Sequence, residues 1–314
     1  MDMGSQSIRH RPLALLAAIA VMAVGACAAP NAATIGGTSI PTPRVTTTTR
    51  PRATTTVPLA TTTLPRATTT APPSTTTTTA AAGSPGGGLV GHFSTLPPGS
   101  ALPSDATCAA AVRPAAETRS KNTTANHTRG TQKNLTTPYP LFSRVDGNFT
   151  GTTDEIIQWA ACKWGIDEDI VRAQAATESW WDQSSIGDFA TDPTGCLPGH
   201  GIGVDGHPGQ CPNSGGLLSL TYRYYQNGFP EALTSTAYNA DYIYAWWRAC
   251  YEGQISWLNS VDRGSQYAAG DAWGCVGTWY AGRWHTSAAE GYITTVKSYM
   301  AQKVWTTPSF LAIK

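Results

Sequence analysis

Glu178 is the residue whose neighbours best suit it to exchange a proton. It closes a stretch rich in Ala and Ile and is followed, after Ser179, by Trp180 and Trp181. Apolar surroundings disfavour the charged form of a carboxylic acid and raise its pKa. A carboxyl so placed can still donate a proton near neutral pH. A glutamate at a helix end is otherwise an ordinary solvated group, and the paired tryptophans set this one apart.

Three further acids, Asp182, Asp188 and Asp192, follow closely. Each is a candidate second carboxylate, and each equally suits a turn. His200 and His207 flank a GxGxDG stretch that contains Asp205, and His285 stands alone farther on. No C-x-x-C pair or close Cys/His cluster accompanies them, so neither a metal nor a cofactor is expected. Cys162 and His285 would form a nucleophile–base pair only if the thiol were free.

The cysteine count argues that it is not. The chain has seven cysteines, and setting Cys27 aside leaves an even number: Cys108, Cys162, Cys196, Cys211, Cys250 and Cys275. An even set outside the cytoplasm reads as a disulfide framework. Sequence alone does not choose the connectivity. The pairing adopted is Cys196 with Cys211, Cys250 with Cys275, and Cys108 with Cys162.

The elements that must position Glu178 can be traced outward from it. Thr152 and Glu155 form a T-x-x-E capping box. Ile156, Ile157, Ala160, Ala161 and Trp164 then recur at helical spacing, and Gly165 supplies a stop. Asp167 caps a second helix, with Glu168 and Asp169 in its first turn. Along it Ile170 or Val171, Gln174 and Glu178 share one face. A Gly/Pro/Asp-rich loop over residues 187–216 carries Cys196 and Cys211. Helices are expected at residues 217–225 and 241–252, near Asp271, and over 287–304. No segment alternates as a sustained strand does, so the domain reads as mainly α. All eleven tryptophans fall within it.

The N-terminal third has a different character. Arg9, His10 and Arg11 precede an apolar run at residues 13–24, which is shorter than the roughly 20 residues a membrane-spanning helix needs. This is the pattern of a secretory signal. Val24, Gly25, Ala26 and Cys27 resemble the lipobox of bacterial lipoproteins, in which the cysteine is acylated, while Ala26, Cys27 and Ala28 also fit ordinary signal cleavage. The lipobox is the preferred reading, and it places a membrane anchor at Cys27. Residues 41–81 are mostly Thr, Pro and Ala, with PRATTT at 51–56 and again at 65–70. Such a segment has too little apolar surface to fold. The organisation is therefore a signal at 1–27, a disordered linker at 28–101, an extended arm at 102–150, a folded domain at 151–306 and a tail at 307–314. The arm carries Asn-x-Thr sequons at Asn122, Asn126, Asn134 and Asn148, which would be glycan acceptors in a secreted eukaryotic protein and are without meaning in the bacterium that the lipobox suggests. The formal net charge is +1 with no basic cluster, so no nucleic-acid partner is expected.

The sequence IIQWAACKWGIDEDIVRAQAATES resembles the opening of the soluble lytic transglycosylase family, whose domain is lysozyme-like. In that family two helices meet at a glycine and lead to a Glu-Ser pair whose Glu is catalytic. GLLSL at 216–220 resembles the family's Gly-Leu-Met-Gln motif, CVGTWYAGRW the segment around its Ala-Tyr-Asn-Ala-Gly motif, and AAEGYITTVKSYM its closing helix. The resemblance covers residues 152–304, about half the chain, and is strongest with an actinobacterial subgroup. It departs from the family at Ser219, which stands at the Gln position, and at Trp279 and Tyr280, which stand at the Tyr and Asn positions.

The resemblance implies a single lysozyme-like catalytic domain acting on peptidoglycan glycan strands. It would cleave the β-1,4 bond after N-acetylmuramic acid without water, giving a 1,6-anhydro product. Glu178 is then the acid and base, and Ser179, Trp181, Ser219, Trp279 and Tyr280 are candidates for substrate contact. Trp284 is a further groove candidate, and Tyr280 or Trp279 would orient the acid. Two rivals remain open: a hydrolytic lysozyme-like muramidase, and an envelope protein that binds peptidoglycan without cutting it. The expected setting is the cell envelope outside the cytoplasm, as a monomer held at the membrane by its lipid anchor or else secreted.

Overall fold

The computed structural model describes residues 91–131, 135, 137–260, 263 and 266–313, all within one structural unit. The signal, Cys27 and the Thr/Pro segment lie outside the described residues.

The described chain is mainly helical. Its short helices include α1 (Asp105–Ala111), α2 (Thr123–Asn126) and α5 (Glu231–Thr234), and its longer ones are α3 (Thr153–Trp164), α4 (Glu168–Ser179), α6 (Thr236–Tyr251), α7 (Ala272–Ala281) and α8 (Ser287–Gln302). The capping box at α3 forms as the sequence requires. Thr152 Oγ1 accepts from the Glu155 amide, and Glu155 Oε2 accepts from the Thr152 amide at 2.8 Å. Gly165 ends α3 with φ 59°, and a side chain there would also collide with Leu96. Asp167 caps α4 by accepting from the Asp169 amide at 2.9 Å. Trp180 and Trp181 then take φ 55° and 64° and turn the chain away.

α6 is the central helix and is buried along its whole length. It starts five residues before the expected 241, at a Ser235 cap that accepts from Tyr238 N at 3.1 Å. A helix buried on all sides has no polar stripe, so periodicity gives no boundary. Its one carboxylate, Asp241, is satisfied internally, whereas Thr236 Oγ1, Tyr238 Oη and Trp247 Nε1 are buried with no hydrogen-bond partner among the described residues. Asp241 accepts from Lys163 Nζ at 2.9 Å, from Trp164 Nε1 at 2.8 Å, and from the amides of Asp146 and Gly147 at 2.9 Å each.

Residues 217–225 are not the expected helix. Gly216 and Ser219 have positive φ, and the amides of Leu217 and Leu218 bond Gln183 Oε1 and Asn239 Oδ1 instead of a helical turn. This stretch feeds a small antiparallel sheet of β1 (Ile186–Gly187), β2 (Ser214–Gly215) and β3 (Leu220–Thr221), in that spatial order. The long β1–β2 loop is closed by Cys196–Cys211. The other disulfides are Cys108–Cys162 and Cys250–Cys275, so the structure joins the three pairs adopted from the sequence.

The folded part is longer at both ends than the sequence boundaries allow. Phe93 is buried, Leu96 N donates to Gly165 O at 3.0 Å, and Arg248 donates to the carbonyls of Leu96 and Pro97. The linker therefore gives way to packed chain before residue 101. The arm is integral to the fold: Phe142 and Val145 are core residues, and Asn122 and Asn126 are buried with their amides on Thr153. Two of the sequons are thus closed to modification. The tail forms α9 (Pro308–Leu311), whose Phe310 is fully buried against Trp180, Trp181 and Arg119. These contacts were illegible because a lone aromatic in a polar stretch carries no periodic signal.

Candidate active site

A cleft of about 880 Å³ runs across one face of the domain, with Glu178 among its lining residues. Helix α4 brings Glu178 to it, the small sheet brings Asp188 and Ser219, α6 brings Tyr242 and Trp246, and α7 brings Trp279 and Tyr280. The segment before α3 also contributes, through Tyr139 and Phe142.

Glu178 is half-buried, and its last-turn position on α4 aims it across to α8. The Tyr292 hydroxyl donates to its Oε1. Burial raises the Glu178 carboxyl to about 7. Hydrogen bonds from Tyr292, Ser219 and Trp279 act against that rise, and the charge of Asp188 adds to it. Burial and the Glu178 charge hold the Tyr292 phenol well above its ordinary value, so it stays a donor. With Oε1 accepting the hydrogen bond from the Tyr292 hydroxyl, Oε2 is the oxygen that carries the acid's own proton. Behind this pair Gln174, one turn earlier on α4, accepts from Tyr244 at 3.2 Å and also bonds Tyr292.

Above the acid the surface is aromatic. Tyr280 is 63% exposed and stacks on Tyr292 with parallel planes and centroids 5.0 Å apart. Trp279 stacks on Tyr225 and meets Trp246 edge to face, each at 5.7 Å. Tyr224 is exposed on the rim, and Trp257 carries Arg263 over its ring at 5.3 Å. Flat apolar faces beside polar edges suit the axial C–H faces of sugars.

Of the residues expected to meet substrate, Ser219, Trp279 and Tyr280 line the cleft, and Ser179, Trp181 and Trp284 do not. Ser179 Oγ donates to Leu217 O at 2.6 Å and accepts from Asp182 N at 3.1 Å, so it ties α4 to the turn that carries Ser219. Trp181 is buried, donates to Arg172 O at 3.0 Å and packs edge-on against Phe310. Trp284 is buried against Gly274, where no side chain would fit. The orienting donor expected at Tyr280 or Trp279 is Tyr292, with Trp279 as a lesser partner. Its signal was available: Ala289, Tyr292, Ile293 and Val296 form the buried face of α8, and one hydroxyl on an apolar face calls for an acceptor.

The remaining candidates are occupied elsewhere. Asp182 bonds Lys121 at 2.6 Å, and Asp192 bonds Thr194 at 2.7 Å. His200 meets Asp205 at 3.0 Å, while His207 stacks on Phe189. Cys162 is disulfide-bonded and offers no thiol. Among the described residues, His92, Glu168 and Asp169 bring ligand atoms together, but Glu168 is already neutralised by Arg113 and Arg172.

Comparison of the chain with protein-family models, with curated proteins and with solved structures finds no match.

Proposed function

We propose that this protein cleaves the glycan strands of peptidoglycan in the manner of a lytic transglycosylase, with Glu178 as the acid and base on a lysozyme-like domain. The observation that carries the reading is the Glu178 carboxyl, raised to about 7 by burial, at an aromatic-lined cleft of about 880 Å³. Burial is what keeps the proton available, and the open aromatic faces are what a glycan strand needs.

In the first step Oε2–H of Glu178 protonates the glycosidic oxygen. The C1–O bond breaks, and its electron pair leaves with the departing sugar as a hydroxyl. The substrate's N-acetyl group assists at C1. The 6-hydroxyl of the same sugar then bonds to C1, and its proton returns to the Glu178 carboxylate. Tyr292 holds the carboxyl in one orientation through both steps, and Tyr280 covers Tyr292 from the cleft side. Ser219 and Trp279 shift the balance between acid and anion, which the second step requires.

Three disulfides suit an oxidising compartment, in keeping with a placement outside the cytoplasm. An acylated Cys27 would anchor the chain at the membrane, with residues 41–81 as a spacer toward the wall. Incubating purified sacculi with wild type and with Glu178→Gln tests the proposal. Soluble fragments should appear with wild type, and the amide should lower their rate by about 10²–10⁴-fold, the worth of general acid catalysis. Equal release by both would remove Glu178 from the chemistry, and binding without release by wild type would make the domain a binder.

A further inference from the structure

Asp188 is the acid in the cleft that the steps above leave unused. It follows β1 and lines the same cleft as Glu178. Its carboxylate is exposed and has no hydrogen-bonding or ion-pairing partner among the described residues. Asp182 and Asp192, its neighbours in sequence, are outside the cleft and bonded to other groups.

The backbone holds Asp188 in an unusual way. Gly187 pairs with Ser214, and Ala190 pairs with Cys211 in the same antiparallel register. Both sides of Asp188 are therefore pinned, the Ala190 side through the Cys196–Cys211 disulfide. Between these points Asp188 takes φ 51°, in the left-handed region that side-chain-bearing residues enter rarely, Asp and Asn most readily. Strained backbone kept between two fixed points is often a feature of function. Here its effect is to leave an unpaired carboxylate facing the cleft.

We infer that Asp188 is the second carboxylate of the reaction, a fixed negative charge that stabilises the positive charge growing at C1 while Glu178 moves the proton. This rests on the proposed glycan cleavage. Glu178 gives its proton to the leaving oxygen, the C1–O bond breaks, and C1 becomes electron-poor. Asp188 exchanges no proton and forms no bond. Its charge lowers the energy of that state until the 6-hydroxyl closes on C1 and returns its proton to Glu178. The same charge disfavours ionisation of Glu178, which keeps the acid protonated.

Asp188→Asn removes the charge and keeps the shape, and Asn accepts positive φ as Asp does. Four quantities are to be compared with wild type: kcat and KM for fragment release from sacculi, the alkaline limb of the pH–rate profile, and the titration of the Glu178 carboxyl by NMR. The variant should lose about 10–100-fold in kcat with KM little changed. Its Glu178 titration and its alkaline limb should both move to lower pH, a shift that a purely structural role would not produce. Asp188→Gly, also at ease at positive φ, should behave the same way and guards against a local effect of the amide. Unchanged kcat together with unchanged Glu178 titration overturns the inference while leaving the proposed cleavage standing. Reducing sugar ends from wild type that disappear in Asp188→Asn also overturn it, because Asp188 would then be activating water. A wild-type protein that releases nothing overturns the cleavage itself, and this role with it.

Discussion

The Tyr292 hydroxyl on α8 donates to Oε1 of Glu178 on α4, so the orientation of this carboxyl depends on how two helices distant in sequence pack. The bond favours the carboxylate over the acid. Removing it in Tyr292→Phe should therefore raise the Glu178 pKa further and move the alkaline limb of the pH–rate profile upward. The plateau rate should fall about tenfold or more as the acid loses its orientation. A limb that stays in place or moves down would show that Tyr292 does not act on Glu178.

The raised pKa of Glu178 has a consequence for stability as well. The folded protein holds this proton to about pH 7, against an ordinary value of 4.5. The folded state thus binds more protons than the unfolded chain between those values, and stability falls as pH rises through them. Glu178→Gln should match wild type in thermal stability at pH 4 and exceed it at pH 8, by roughly 5 °C. Activity of wild type should decline above about pH 7 for the same reason. Equal melting temperatures at pH 8 would mean the carboxyl is not strained by burial.

Buried and exposed aromatics should separate cleanly on substitution. Phe310→Ala empties a fully buried site beneath Trp180 and Trp181 and should cost about 3–5 kcal/mol of stability. Tyr280→Ala removes an exposed ring and should change stability by about 0.5 kcal/mol or less, while weakening binding of glycan fragments several-fold. Denaturant titration and fragment binding check both. Loss of stability at Tyr280 with binding intact would remove it from the substrate surface.

Lys163 is fully buried and meets Asp105, Asp146 and Asp241 within 3.3 Å. Lys163→Met should destabilise the fold by about 3–5 kcal/mol, because it strands the Asp241 charge in the core. The double variant with Asp241→Asn should recover part of that loss. Additive losses instead would deny the coupling.

The sequence carried the two helices around Glu178 with little ambiguity, because capping box, glycine stop and apolar spacing agreed at α3 and α4. It carried the disulfide pairs less directly, as one choice among several. It could not carry α6, whose uniform burial hides its boundaries, nor the 217–225 turn, whose amides are taken by the side chains of Gln183 and Asn239. The tryptophans beside Glu178 were informative about its environment but not about substrate. Trp181 is core, and the cleft faces come from Tyr224, Trp257, Trp279 and Tyr280, which lie far along the chain. Tyr292 needed three-dimensional contact to be paired with Glu178, although its place on the apolar face of α8 marked it as a hydroxyl in search of an acceptor.

The proposed chemistry is tested most directly by the sugar ends of soluble fragments after wild type is incubated with purified sacculi. Mass spectrometry separates an anhydro end from a reducing end by one water. Transfer to the 6-hydroxyl, with Glu178 giving and then retaking the proton, gives anhydro-ended fragments throughout, released about 10²–10⁴-fold more slowly by Glu178→Gln. Reducing ends in their place would mean that water attacks C1 and that the protein is a hydrolase, and no soluble fragments at all would mean that the cleft binds glycan without cutting it.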